Sequence, residues 1–233
     1  MCSNRINLEH ELFSKLSQEW WDENGKFKVL HQIRPIRIEY ILKQINSKKI
    51  KNLDVLDLGC GGGLVSESLA RLNANVTGVD FVKNNIEVAK KHALKKKLKI
   101  NYIQDDIEKL KLSKKFDIII MFEILEHLND WSSFLVKIKK NLNKNGIIII
   151  STINRNIISK YLAIFVAENI LKWVPKGTHS YNKFIKPYEI YDNMTNNNFK
   201  LKNLSGLTFN LLEGNWKLSN NPSVNYFCTY KLN

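Results

Sequence analysis

Four glycines in five positions, Gly59, Gly61, Gly62 and Gly63, follow the apolar run Val55–Leu58, and a helical pattern begins directly after them. Glycine is required where a backbone must take φ > 0 or approach a ligand with no Cβ between them. A strand, a glycine turn and a helix N-terminus in that order form a cofactor cradle. A second apolar run, Ala74–Val79, ends in Asp80, about twenty residues past Gly59, where an acid can grip ribose hydroxyls. These residue types at this spacing imply a nucleoside-containing cofactor. A second reactive set, Glu123, Glu126 and His127, stands at i, i+3 and i+4. If the chain passes from strand to helix there, all three project from one face. Two carboxylates and an imidazole so placed can hold a divalent cation or act as acid and base groups, and spacing alone does not choose.

Alternating strands and helices must position these groups. From Leu53 onward strands are predicted over 53–58, 74–79, 99–104, 116–122 and 146–152, with helices between them. Near-continuous apolar runs such as Ile147–Ile150 suit a parallel sheet covered on both faces. Helices are predicted over Glu9–Trp21 and Ile36–Ile45 ahead of the first strand, and 198–231 reads as two further strands. The fold expected is α/β: a doubly wound, mostly parallel seven-stranded sheet with helices on both faces and extra N-terminal helices. In such sheets ligands lie at the carboxyl ends of the strands, where Gly59, Asp80 and Glu123 all fall.

The chain has 233 residues, enough for one α/β domain with a buried core, and 44% of them are hydrophobic. It reads as one domain, 1–233, with N-terminal helices (1–50), a cofactor-binding core (51–155), a substrate- and membrane-facing insertion (156–190) and C-terminal strands (191–233). Three scattered cysteines, Cys2, Cys60 and Cys228, argue against a disulfide framework and a cysteine-based zinc site. The polar start, Met1–His10, is unlike a signal peptide, and no apolar run reaches the length of a membrane span, so a cytoplasmic location is expected. A net charge of +14 invites an anionic partner. The excess is mostly lysine in a chain equally loaded with Ile and Asn, the composition of an AT-rich coding sequence, and nucleic acid is not expected as a partner.

A dinucleotide fingerprint starting at Gly59 would need a third glycine where Leu64 stands. With Asp57 inside the strand, the stretch instead resembles the first motif of class I S-adenosylmethionine-dependent methyltransferases. Further residues resemble the ubiquinone biosynthesis O-methyltransferase family: Trp20-Trp21-Asp22, the run Gly25 to Arg37, Glu123-Ile124-Leu125-Glu126-His127, Ser151-Thr152-Ile153-Asn154-Arg155, and Val174-Pro175-Lys176-Gly177-Thr178-His179. Phe122 and Asn129-Asp130 depart from that family's pattern. The resemblance implies methylation of phenolic hydroxyls on polyprenylated catechol and demethylubiquinol intermediates. It implies cofactor contacts at Arg37, Gly59, Gly61, Asp80 and Phe122, with Asp106 on the adenine amino group, and Mg²⁺ at Glu123, Glu126 and His127. An ordered guanidinium at Arg37 suits the cofactor's carboxylate.

The reaction implied is attack of a phenol oxygen on a sulfonium methyl. His127 and Glu123 are candidate acid–base groups, and His179, in a loop expected over the substrate, is a third. A polyprenyl tail resides in the bilayer. The predicted helix Ile157–Val174 carries a broad apolar arc, with Lys176, Lys183 and Lys186 nearby. These features suggest peripheral binding to an anionic membrane surface on the inner face of the cell membrane. Membership of a complex of ubiquinone-biosynthesis enzymes would fit the same setting. A nucleic-acid methyltransferase, a non-enzymatic cofactor-binding module and a small-phenol O-methyltransferase are the competing readings. The first usually carries Asn/Asp-Pro-Pro-Tyr/Phe where this chain reads Phe-Glu-Ile-Leu.

Overall fold

The structure, a computed structural model, describes residues 16–45, 50–160, 181–210 and 213–233. The described elements are α1 (Lys28–Ile45), β1 (Asp54–Leu58), α2 (Leu64–Arg71), β2 (Asn75–Asp80), α3 (Lys83–Lys95), β3 (Asn101–Gln104), β4 (Phe116–Phe122), α4 (Trp131–Ile138), β5 (Leu142–Ile153), α5 (Pro187–Asn196), β6 (Phe199–Asn210), β7 (Asn215–Ser219) and β8 (Asn225–Leu232). The strands form one sheet in the order β3-β2-β1-β4-β5-β8-β6-β7. The first five are parallel, and β8, β6 and β7 are antiparallel to their neighbours. Order reverses at β1, where the crossovers go to opposite sides and a crevice opens above the strand ends.

Burial explains the parallel strands. Ile118–Met121 and Ile147–Ile150 are buried on both sheet faces, so successive side chains enter different cores. One core gathers Leu56, Leu58, Ile119, Ile148 and Phe134; the other gathers Val55, Ile118, Ile120, Ile149 and Tyr40 from α1. The expected doubly wound sheet is present with eight strands, one more than counted from sequence. The addition comes from 198–231: β6 ends at Asn210, and Gly214 at φ 65° lets β7 fold back on it. Helix α1 also starts earlier than the expected Ile36, at Lys28, and carries Pro35 internally. Of the predicted helix Glu9–Trp21, the part before Leu16 lies outside the described residues, and Ser17–Glu19 forms a 3₁₀ turn.

Candidate functional site

The glycine loop leaves β1 and turns back under the end of β2. Gly59 N and Cys60 N donate to Val79 O at 2.8 and 3.0 Å, and Gly61 N donates to Asp80 Oδ2 at 2.9 Å. Gly59 and Gly61 adopt φ of 70° and 53°, a region that other residues enter only with strain. A Cβ at Gly59 would lie 1.9 Å from Ile124 Cδ1. The sequence thus needs glycine for both conformation and space, and the acid paired with it from the sequence is hydrogen-bonded to the loop. Asp80 also accepts from Val82 N at 2.9 Å and Asn85 Nδ2 at 3.3 Å, and it is only 7% exposed. Beneath the loop, Asp57 accepts from Ser66 Oγ at 2.6 Å. Burial pushes its carboxyl up to about 6, against the opposing pull of Ser66 and the Arg37 guanidinium.

A second cluster forms where β4 and β5 end. Glu123 takes φ 54°, while its N–H donates to Ser151 O at 3.0 Å. A left-handed glutamate is rare, and such strain collects at functional positions. Its Oε1 accepts from Ser151 Oγ at 2.8 Å and from Arg37 Nη2 at 3.4 Å. Arg37 arrives from α1 fully buried, with its guanidinium 5.0 Å from the Phe122 ring centroid and no partner on Nε. Burial lowers its pKa, and Glu123 and Asp57 oppose the drop. A buried, incompletely satisfied guanidinium suits a planar anion such as a carboxylate.

Glu126 is 4% exposed and accepts from Thr152 Oγ1 at 2.8 Å. Burial first, then the neighbouring Glu123 carboxylate, raises its pKa, while His127 pulls the other way. The single helical face expected for Glu123, Glu126 and His127 does not form. The left-handed turn at Glu123 separates it from a short 3₁₀ turn, Leu125–His127, so the three do not share one helix. Among the described residues no group of three acidic, histidine or cysteine side chains is placed to hold a metal ion. Arg37 and Ser151 engage one oxygen of Glu123 and Thr152 one oxygen of Glu126, and the three side chains are not gathered into the oxygen-rich octahedron of Mg²⁺.

Asp106 lies just past β3, and Asp105 between them donates its N–H to Asp80 O at 3.1 Å. Its own carboxylate accepts from Glu108 N at 3.0 Å and pairs with Lys109 at 2.9 Å, so it caps an exposed turn. His179 lies outside the described residues, as does most of the predicted helix Ile157–Val174. Ser151 and Thr152 received no role from sequence, although both stood in a quoted motif. Hydroxyls that end an apolar strand beside an acid-bearing strand were the available signal. Asn85, which bridges Asp80 and Trp20, had none. A groove of about 730 Å³ beside the end of β5 is lined by Asn154, Arg155, Ile157, Ile158, Tyr181 and Tyr188 among others.

A family model described as "Methyltransferase domain" matches residues 49–214. A protein of Pelagibacter ubique (strain HTCC1062) named ubiquinone biosynthesis O-methyltransferase is 50% identical, over 97% of this chain and 98% of its own length. One of the same name from Rickettsia prowazekii (strain Madrid E) is 48% identical, over 94% of this chain and 88% of its own. Among solved structures, the PH0226 protein of Pyrococcus horikoshii OT3 superposes with a TM-score of 0.65 at 17% identity, covering 92% of this chain and 95% of that one. Magnesium protoporphyrin IX methyltransferase of Synechocystis PCC 6803 with bound SAH gives 0.63 at 18% identity, covering 86% and 83%. At these identities the structural likenesses speak to the fold.

Proposed function

The chain belongs to the ubiquinone biosynthesis O-methyltransferase family, and from that premise we propose how its two clusters divide the work. It is an S-adenosylmethionine-dependent O-methyltransferase of ubiquinone biosynthesis. Its acceptor is a phenolic hydroxyl of a polyprenylated catechol or demethylubiquinol, and 1–233 acts as one domain. When bound, S-adenosylmethionine supplies an electrophilic methyl group on sulfur. The observation that supports the cofactor assignment best is the 2.9 Å bond between Gly61 N and Asp80, which joins the glycine turn to the ribose-gripping acid. Arg37 is suited to the cofactor's carboxylate, Phe122 walls that side, and Asp106 is proposed on the adenine amino group.

A phenol lies about three pKa units from its reactive anion at pH 7, roughly 4 kcal/mol. Glu123, 28% exposed at its side chain and hydrogen-bonded by Arg37 and Ser151, is positioned to take the phenolic proton. Glu126, buried against Thr152, is best read as the protonated member of the pair, one carboxyl silenced so that the other works as a base. His127, which acts electrostatically on Glu126, is a candidate to relay the proton outward, with His179 as a second candidate. Holding nucleophile and methyl in line contributes about 7–11 kcal/mol in well-oriented reactions, more than the proton transfer. Mg²⁺ on Glu123, Glu126 and His127 is what the family resemblance implies; the placed side chains do not fit it, and no step is routed through it.

The tail must leave the bilayer to reach the site. Ile157 and Ile158 are 70% and 56% exposed beside Lys160 and Lys186, next to the groove at the end of β5. That face is our candidate for docking on an anionic membrane, each lysine adding about 1 kcal/mol. Among the described residues no helix is long and apolar enough to cross a membrane. A shared surface with other enzymes of the pathway would serve the same delivery. The deciding assay transfers labelled methyl from S-adenosylmethionine to demethylubiquinols of increasing tail length, with Mg²⁺ or with EDTA. Turnover that rises with tail length and survives EDTA is expected. Equal turnover of small catechols would contradict the substrate assignment, and strict Mg²⁺ dependence the base.

A further inference from the structure

The faces of Gly61 and Gly62 that lack a Cβ are not open. A Cβ at Gly61 would meet the Trp20 ring at 2.4 Å, and one at Gly62 would meet it at 2.3 Å. Close approach to such faces is what a glycine loop offers a cofactor. Trp20 belongs to the arm that runs into α1, where its ring stacks on Phe27 with centroids 4.0 Å apart. Its Nε1 donates to Asn85 Oδ1 at 2.8 Å, and the same amide donates to Asp80 at 3.3 Å. Trp21 Nε1 donates to Gly62 O at 3.0 Å, and its ring stacks on His92 at 3.5 Å. His92 is in turn held at 2.7 Å by the buried Glu67. The arm therefore touches the loop at two residues and reaches the ribose acid through one amide, leaving Asp80 7% exposed.

We propose that the arm Leu16–Phe27 is a gate over the cofactor site, latched by Trp20 on Asn85 and Trp21 on Gly62, which must swing away for the cofactor to arrive and for its demethylated product to leave. The inference rests on the cofactor reading above and adds the element that controls access to it. The contacts that join the arm to the loop and to α3 include two indole N–H bonds and the Trp21–His92 stack, and Leu16, Trp20 and Phe27 pack with Leu64. Each neutral hydrogen bond contributes about 1 kcal/mol net, so removing one should speed opening and, with it, the rate of binding. The arm runs into α1 at Lys28, and the contact of His31 Nε2 with Trp20 O at 2.9 Å is a further tie that opening must break.

Stopped-flow tryptophan fluorescence with S-adenosylhomocysteine as the probe tests this. In the wild type the observed rate should saturate with ligand concentration, because opening precedes binding. Trp20→Phe keeps the ring on Phe27 and the loop but removes the indole N–H, and it should raise the plateau about fivefold, the equivalent of one hydrogen bond. Trp20→Ala should raise it further, and circular dichroism on both variants verifies that the fold is retained. A rate linear in ligand to the highest concentration, or a Trp20→Phe plateau unchanged or lowered, would overturn the gate while leaving the cofactor assignment intact. Absence of any binding would overturn both.

Discussion

The two ends of the crevice solve opposite problems. At the carboxyl ends of β1 and β2 the left-handed backbone conformations fall on glycines, and Asp80 and Asp57 both receive hydrogen bonds. Around the ends of β4 and β5 the left-handed residue is a glutamate, a buried arginine keeps one N–H without a partner, and a second carboxyl is forced toward its neutral form. The first region has a relaxed backbone and is the proposed binding end. The second is strained and charged, held there by the rigid sheet beneath it, which is what a site of chemistry requires. Substitution of Glu123 should therefore act mainly on chemistry and substitution of Asp80 mainly on binding.

The strongest break in that contrast is expected at Glu123. Glu123→Gln should lower kcat about 10²–10⁴-fold, the usual contribution of a general base, while calorimetry shows S-adenosylhomocysteine affinity within about threefold of wild type. A matching loss of affinity would merge the two regions into one.

Asp57 gives an intermediate effect, on stability. Its carboxyl has an ordinary value of 3.8 and a folded value of about 6, raised by burial. Between those values the folded chain holds a proton that the unfolded chain has lost, so stability falls as pH rises through that window and stays lower above it. Asp57→Asn keeps an acceptor for Ser66. It should stabilise the protein at pH 7 by on the order of 1–3 kcal/mol in urea unfolding and show little gain at pH 4. A gain of equal size at both pH values would mean that burial of the charge is not the cause.

The smallest effect on rate is expected at Glu126. Glu126→Gln imitates the protonated carboxyl beside Thr152, so kcat should stay within about threefold and thermal stability at pH 8 should rise. A collapse of activity restored by high Mg²⁺ would instead make Glu126 a metal ligand.

Sequence reasoning reached much of the fold because burial on both sheet faces writes itself into the chain. The isoleucine runs placed β4 and β5, although β5 starts at Leu142 and runs through Asn145-Gly146, where a turn was the expectation. The β6–β7 hairpin was missed because its residues alternate weakly, with half-exposed side chains on both sides. The glycine loop and Asp80 were legible because only one residue type tolerates φ near 60° with no room for a Cβ. The arrangement of Glu123, Glu126 and His127 was not, since a helical spacing in sequence says nothing about a single left-handed residue that breaks the helix. Trp20 was visible as a family feature without a role, because its ring acts on a loop some forty residues away.

Isothermal titration of the wild type and Asp80→Asn with S-adenosylhomocysteine decides whether the relaxed end of the crevice is a methyl-donor site. One ligand per chain should bind the wild type, and loss of a charge-assisted hydrogen bond should weaken binding about 10–100-fold in the variant. No heat of binding to the wild type, or equal affinity in the two proteins, would contradict it.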